Sequence, residues 1–169
     1  MNLRPLTRFV DKIEARHGPL NDVYLTWGSR YRAFAKLRYM KFARGGGNWA
    51  PLSEVTKRRR RKAAKGKKGP RSFSILIDKG TLVAALEPKI ENPGSIKKLI
   101  GKGVRVGYGG SAKHPRAKGL TIARLAEIHH RGLGNVPARP IIVRPDTKTL
   151  RGMVSDLERG IKKMETWVR

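Results

Sequence analysis

The chain has 169 residues, 39 of them Lys or Arg against 12 Asp or Glu, which sets a formal charge of +27, and it contains no cysteine. Disulfides, thiolate metal sites and cysteine nucleophiles are excluded, the length suits one domain burying about 70% of its unfolded surface, and so much charge on so short a chain implies an anionic or acidic neighbour. The N-terminal "MNLRPLTRFVDKIEARHG" lacks the apolar core of a signal peptide and nowhere do about 18 apolar residues run together, so a soluble protein of a reducing cytoplasm, with no membrane partner, is expected.

Residues 1–19 read as an N-terminal arm in which Leu6, Phe9, Val10 and Ile13 share helical spacing, and "HGPLN" breaks it. From Asn21 to about Phe42, Tyr24, Trp27, Tyr31, Phe34 and Leu37 recur every three or four residues. This predicts a six-turn helix whose aromatic face is packed scaffold rather than a base-stacking platform. "RGGG" at 44–47 ends it, because glycine tolerates the left-handed conformation of a helix terminus.

Residues 57–71, "KRRRRKAAKGKKGPR", hold ten basic side chains and no acid; subtracting them from +27 still leaves +17 on the rest of the chain. The stretch predicts a protruding basic loop carrying Lys57, Arg58, Arg59, Arg60, Arg61, Lys62, Lys65, Lys67, Lys68 and Arg71.

Beyond it "FSILID", "TLVAALEPKIE" and "GVRVGYGG" read as strands of a small antiparallel sheet. "SAKHPRAKG" at 111–119 is a second basic loop. "LTIARLAEIHHRG" predicts a short helix stopped by Gly132, and "ARPIIVRP" one more short strand. From Asp146, a candidate N-cap, Leu150, Val154, Leu157, Ile161, Met164 and Val168 step by four and three along a C-terminal helix. The expected fold is a single α+β domain, 1–169, with a long N-terminal and a C-terminal helix packed on the sheet.

Chemistry is sparse. "GKGVRVGYGGSAK" lacks the G-x-x-x-x-G-K-[ST] spacing that cradles phosphate. Adjacent His129 and His130 on a helix point about 100° apart and cannot clasp one metal. The close acid pairs, Asp11 with Glu14, Glu87 with Glu91 and Asp156 with Glu158, have no His or Ser constellation beside them. No catalytic, metal or cofactor site is expected, and no enzyme. The basic run has no interleaved aromatic, so it suits neutralising phosphates or docking on acidic protein surfaces and not reading a base sequence; both readings stay open, as does a nonspecific nucleic-acid-binding protein.

In order along the chain stand Trp49, Pro51, Leu52, Ser53 and Thr56; Ile75, Leu76, Gly80 and Leu82; Val106 and Gly107; Ala126, Ile128, His129 and Gly132; and Pro137, Ala138, Arg139 and Pro140. This series resembles the bacteriophage virion-morphogenesis, or tail-completion, family over about residues 20–165. It departs from the family where His-Arg-Gly replaces a Phe-Gly after the histidine, where Ile141 and Ile142 replace Phe-Leu, and in the long "GSAKHPRAKGLTIAR" insertion. The resemblance implies a structural virion protein at the head–tail junction, a hexameric ring that completes or terminates the tail. Its partners would be further copies, the tail tube protein, head-completion or connector proteins and the DNA in the channel; assembly would take place in the host cytoplasm. Under it the basic run lines the channel or reaches a neighbouring ring, His129 is a buried hydrogen-bonding residue at a turn, and Arg139 anchors that turn to a carboxylate such as Glu127.

Overall fold

The computed structural model describes residues 8, 11–15, 20–64, 74–77, 80–87, 94–114 and 119–167. The fold is α+β, as expected. Helix α1 (Asn21–Ala43) is followed by α2 (Glu54–Ala64), a single turn α3 (Thr81–Ala84), strands β1 (Ser95–Leu99) and β2 (Val104–Tyr108), α4 (Ile122–Arg131) and α5 (Thr147–Trp167). Residues 11–15 are also helical; Leu6, Phe9 and Val10 of the expected arm lie outside the described residues. Among the described residues no helix is long and apolar enough to cross a membrane.

Helix α1 ends where the glycines demand. Gly45 takes φ +88°, Gly45 N donates to Phe42 O and Gly46 N to Lys41 O, the paired bonds that satisfy the last carbonyls of a helix. Its buried line is Tyr24, Gly28, Arg32, Ala35, Tyr39 and Ala43. The aromatic face predicted for it is therefore rotated: Tyr24 is core, Trp27, Tyr31 and Phe34 are half-buried, and Leu37 faces solvent. The sequence reading weighted ring size, but small residues at 28, 35 and 43 let neighbouring elements approach. At Gly28 an added Cβ would stand 3.0 Å from Val104 Cγ2 and 3.1 Å from Lys97 Cγ, so the missing side chain is what seats the sheet on α1.

The sheet is a hairpin, with Ser95 opposite Tyr108 and Leu99 opposite Val104. Among the described residues only β2 matches a predicted strand. "FSILID" instead carries a turn at 75–76, where Leu76 adopts φ +59°. "TLVAALEPKIE" supplies α3, opened by Gly80 at φ +75°. Leu82, Ala85 and Leu86 are all buried, and that three-and-four spacing is helical rather than alternating. Strand β1, "SIKKL", is too basic to read as a strand; its register comes from pairing with β2.

"ARPIIVRP" is irregular, with a bend at 142, and joins no ladder among the described residues. Pro137, Pro140 and Pro145 lack the N–H a ladder needs. Two amides of the segment bond to α4 instead: Arg139 N donates to His129 O at 2.7 Å and Ile141 N to His130 Nδ1 at 3.1 Å.

The first part of the basic run is a helix, not a loop. Ser53 Oγ accepts from Thr56 N at 3.3 Å as N-cap, Glu54 pairs with Lys57 at 2.6 Å, and Arg, Lys and Ala are strong helix formers. Arg60 ties the helix down, donating to Ser74 O at 2.7 Å. Lys65, Lys67, Lys68 and Arg71 lie outside the described residues. At the two ends of the second basic segment Lys113 bridges Thr121 and His114 N donates to Leu120 O at 2.7 Å; residues 115–118 of it lie outside the described residues.

Two cores result. The larger joins Ala35, Tyr39 and Ala43 of α1 to Trp49, Ile75, Leu82, Leu86, Ile122, Ala126 and Ile141. The smaller joins Leu20, Val23 and Tyr24 to Leu157 of α5. Helix α5 starts at the predicted cap, Asp146 Oδ1 accepting from Thr149 N at 2.8 Å. It is clamped to α1 by Trp27 Nε1 donating to Met153 O at 2.7 Å and by Arg30 donating through Nε and Nη2 to Asp156 at 2.7 and 2.8 Å. Of its predicted apolar stripe Leu157 is buried and Ile161 and Met164 pack beside it, while Leu150 and Val154 are exposed; Val168 lies outside the described residues.

Candidate functional site

A cleft of about 580 Å³ opens where the segment after α1, the start of α2, the α3 turn, α4 and the chain after α4 meet. Trp49 anchors one wall. Its ring stands edge-on to Tyr39 at 5.3 Å and to Phe42 at 5.5 Å. This fixes Ala50, Pro51 and Leu52, and Pro51 and Leu52 line the cleft with Thr56, Leu82, His129, Pro137 and Arg139.

Arg139 closes the cleft from below. It is 5% exposed and donates through Nε and Nη2 to Ala50 O at 3.1 and 3.0 Å and through Nη2 to Pro51 O at 3.2 Å. The expected partner Glu127 is instead held by Arg124 at 2.7 Å and Arg131 at 3.5 Å on its own helix. In a segment stiffened by Pro137 and Pro140, Arg139 donates across the cleft to carbonyls, whereas Glu127 stays within i±3 and i±4 reach of basic neighbours. Burial without a carboxylate lowers the Arg139 pKa.

His129 departs from expectation as well. It sits within α4, not at a turn, and its buried Nδ1 has no hydrogen-bond partner among the described residues. Burial, assisted by the Arg139 charge, pushes its pKa down to about 4. The next residue, His130, makes the hydrogen bond anticipated for it.

Gly132 follows at φ +71°, where an added Cβ would lie 2.6 Å from Ala138 N; this close approach folds the Pro-Ala-Arg-Pro segment back on α4. Gly80 opens α3, and buried Leu82 offers its carbonyl to Tyr108 Oη at 3.0 Å, linking the cleft to β2. Gly107 lies on β2 away from the cleft, and Pro140 is at the surface, its carbonyl accepting from Arg38 Nη1 at 2.7 Å.

Of the basic set, Arg58, Arg59, Arg61 and Lys62 are exposed on α2, and Arg59 stands at the cleft mouth beside Arg60. Among the described residues no Asp or Glu lines the cleft. Its chemistry is that of a cationic, partly apolar surface suited to an anionic group. Among the described residues no group of three or more His, Asp or Glu could hold a metal ion.

Sequence reasoning missed Arg32. It is 2% exposed and donates to Ser95 Oγ at 3.0 Å and Glu87 O at 3.3 Å, joining α1 to β1 and to the end of the α3 segment. The 4-3-4 spacing of Gly28, Arg32, Ala35 and Tyr39 carried that signal, hidden because arginine is rarely buried.

The depressed His129 pKa makes stability depend on pH. In the unfolded chain the ring protonates near 6.5, but in the fold it stays neutral down to about 4. The unfolded state therefore binds more protons between these values, and the stabilisation present above pH 6.5 is lost as pH falls toward 4. Urea denaturation at pH 7 and pH 5 is expected to show a loss of about 1 kcal/mol after discounting for the ring's partial exposure, and His129→Gln is expected to flatten it. An unchanged slope in the variant would remove His129 as the cause.

No family model matches the sequence, and neither a curated protein nor a solved structure matches it.

Proposed function

We propose that the chain is a structural subunit of a bacteriophage head–tail junction, assembling with copies of itself into a hexameric ring that completes the tail and joins it to the head connector. The observation that supports this most is the convergence of the motif segments. Trp49 to Thr56, Ile75 to Leu82, Ala126 to Gly132 and Pro137 to Pro140 are far apart in sequence, yet all four line one cleft and the first three share one core, with Arg139 bonding the first to the last; Val106 and Gly107 lie outside the cleft. The hairpin, two-stranded among the described residues, leaves edges that closure into a ring would cover.

A second reading, a nonspecific nucleic-acid-binding protein, draws on the exposed Arg58, Arg59 and Lys62 of α2, side chains that suit phosphate contact.

Electron microscopy of particles from the parent virus with this reading frame deleted, with and without complementation, tests the proposal. DNA-filled heads beside unjoined or irregularly long tails, rescued by the intact gene, are expected; normally joined particles would overturn it. Salt-dependent duplex binding lost in Arg58→Glu/Arg59→Glu/Lys62→Glu, together with normal particles, would establish the second reading.

A further inference from the structure

Helix α1 presents a face that neither core uses. Phe34, Leu37 and Val143 form the floor of a groove of about 690 Å³ between α1 and the segment entering α5, with Arg38, Lys41 and Lys148 on its rim. Leu37 is 73% exposed and contributes nothing to either core. An apolar floor with a charged rim is the form of a binding surface.

The groove's dimensions and charge select its occupant. It follows α1 from Arg30 to Phe42, about 18 Å at helical rise, the length of about three turns of a partner helix. The α1 floor residues and Lys41 lie at 34, 37 and 41, the spacing into which an amphipathic helix sets its apolar ridge. Arg38 is held in place, its guanidinium 4.2 Å above the Phe42 ring and bonded to Pro140 O at 2.7 Å. The acid that lines the groove, Asp146, already caps α5 through Oδ1. A second copy is a poor occupant: it brings 39 basic residues against 12 acidic ones, and Asp11 and Glu14 of its helical stretch are bound to Lys102 at 2.8 and 3.5 Å.

We propose that this groove docks an acidic amphipathic helix of a different protein, with apolar side chains on Phe34, Leu37 and Val143 and carboxylates on Arg38, Lys41 and Lys148. The apolar floor supplies affinity, and the rim sets orientation and rejects basic partners. The inference stands apart from the head–tail reading, since it uses none of the cleft residues.

The test uses the full chain and two fluorescein-labelled acidic peptides of about 16 residues, long enough for four turns. Both have the same leucine and glutamate content; one places its leucines on one helical face and the other scatters them. Anisotropy in about 150 mM salt, where exposed charges are screened beyond about 8 Å, is expected to show the patterned peptide binding at least about tenfold tighter. Leu37→Asp is expected to remove about that tenfold, and Lys41→Glu/Lys148→Glu to weaken binding further, with the thermal midpoint unchanged because these side chains are at the surface. Equal affinity for the two peptides would overturn the proposal in favour of charge alone. Binding untouched by Leu37→Asp would place the peptide elsewhere and overturn it too. Self-association abolished by Leu37→Asp in sedimentation equilibrium would make the groove a contact between copies, also against the proposal.

Discussion

Replacing Trp49 by alanine is expected to lower the unfolding free energy by about 3–5 kcal/mol, the range for deleting a large buried aromatic. The indole is 5% exposed, meets Tyr39 and Phe42 edge-on, and belongs to the larger core with Ile75, Leu82 and Ile141. A hole there loses the transfer energy of the ring and strands the contacts of three segments. Trp49→Phe separates packing from hydrogen bonding. The indole Nε1 is buried with no partner among the described residues, so phenylalanine discards an unsatisfied donor along with some volume, and its cost is expected at about 1 kcal/mol. Urea unfolding followed by circular dichroism reads both variants. An alanine variant within about 1 kcal/mol of the parent would mean that the Trp49 wall is not part of the core.

The second large effect belongs to Arg139. Its alanine variant leaves the Ala50 and Pro51 carbonyls facing the space of a buried side chain that had donated three hydrogen bonds, and a loss of about 3 kcal/mol is expected. Lysine restores only part of it, because one ammonium on a flexible stem cannot reproduce a planar fork that spans two carbonyls. A further readout distinguishes Arg139 from a merely space-filling residue. The Arg139 charge is the second cause, after burial, of the depressed His129 pKa, so removing it is expected to raise that pKa, visible as a shift in the imidazole titration by NMR. Arg139→Met fills most of the space without charge. If it left both stability and the His129 titration unchanged, the fork across the cleft would have no role.

Where the sequence reading succeeded, the signal was local. The ends of α1 and α4 follow from Gly45 and Gly132, and the start of α5 from Asp146, because a cap or a left-handed turn is settled by residues within one turn of it. Where it failed, partners distant in the chain decided. The run from Ile75 to Leu86 is apolar enough for a strand, but Ile75 N donates to Ala43 O and Tyr39 Oη to Leu76 O, and these contacts with the end of α1 draw it into a turn. The basic run was read as a loop from its charge alone, which overlooked that its residues favour helix and that Ser53 caps it.

By itself the sequence determined the α+β class, the two long helices, the absence of thiol chemistry and a strongly cationic composition. It also singled out Pro51, Leu52, Thr56, Leu82, His129, Pro137 and Arg139, which line one cleft. Only the tertiary structure decided which charges are spent inside the molecule. Arg32, Arg60 and Arg139 bond carbonyls, Arg30 clamps Asp156, and Arg58, Arg59 and Lys62 remain exposed on α2. The reason is that an arginine's role depends on whether unpaired carbonyls or carboxylates converge on it from other segments, and spacing along one segment carries no record of that convergence.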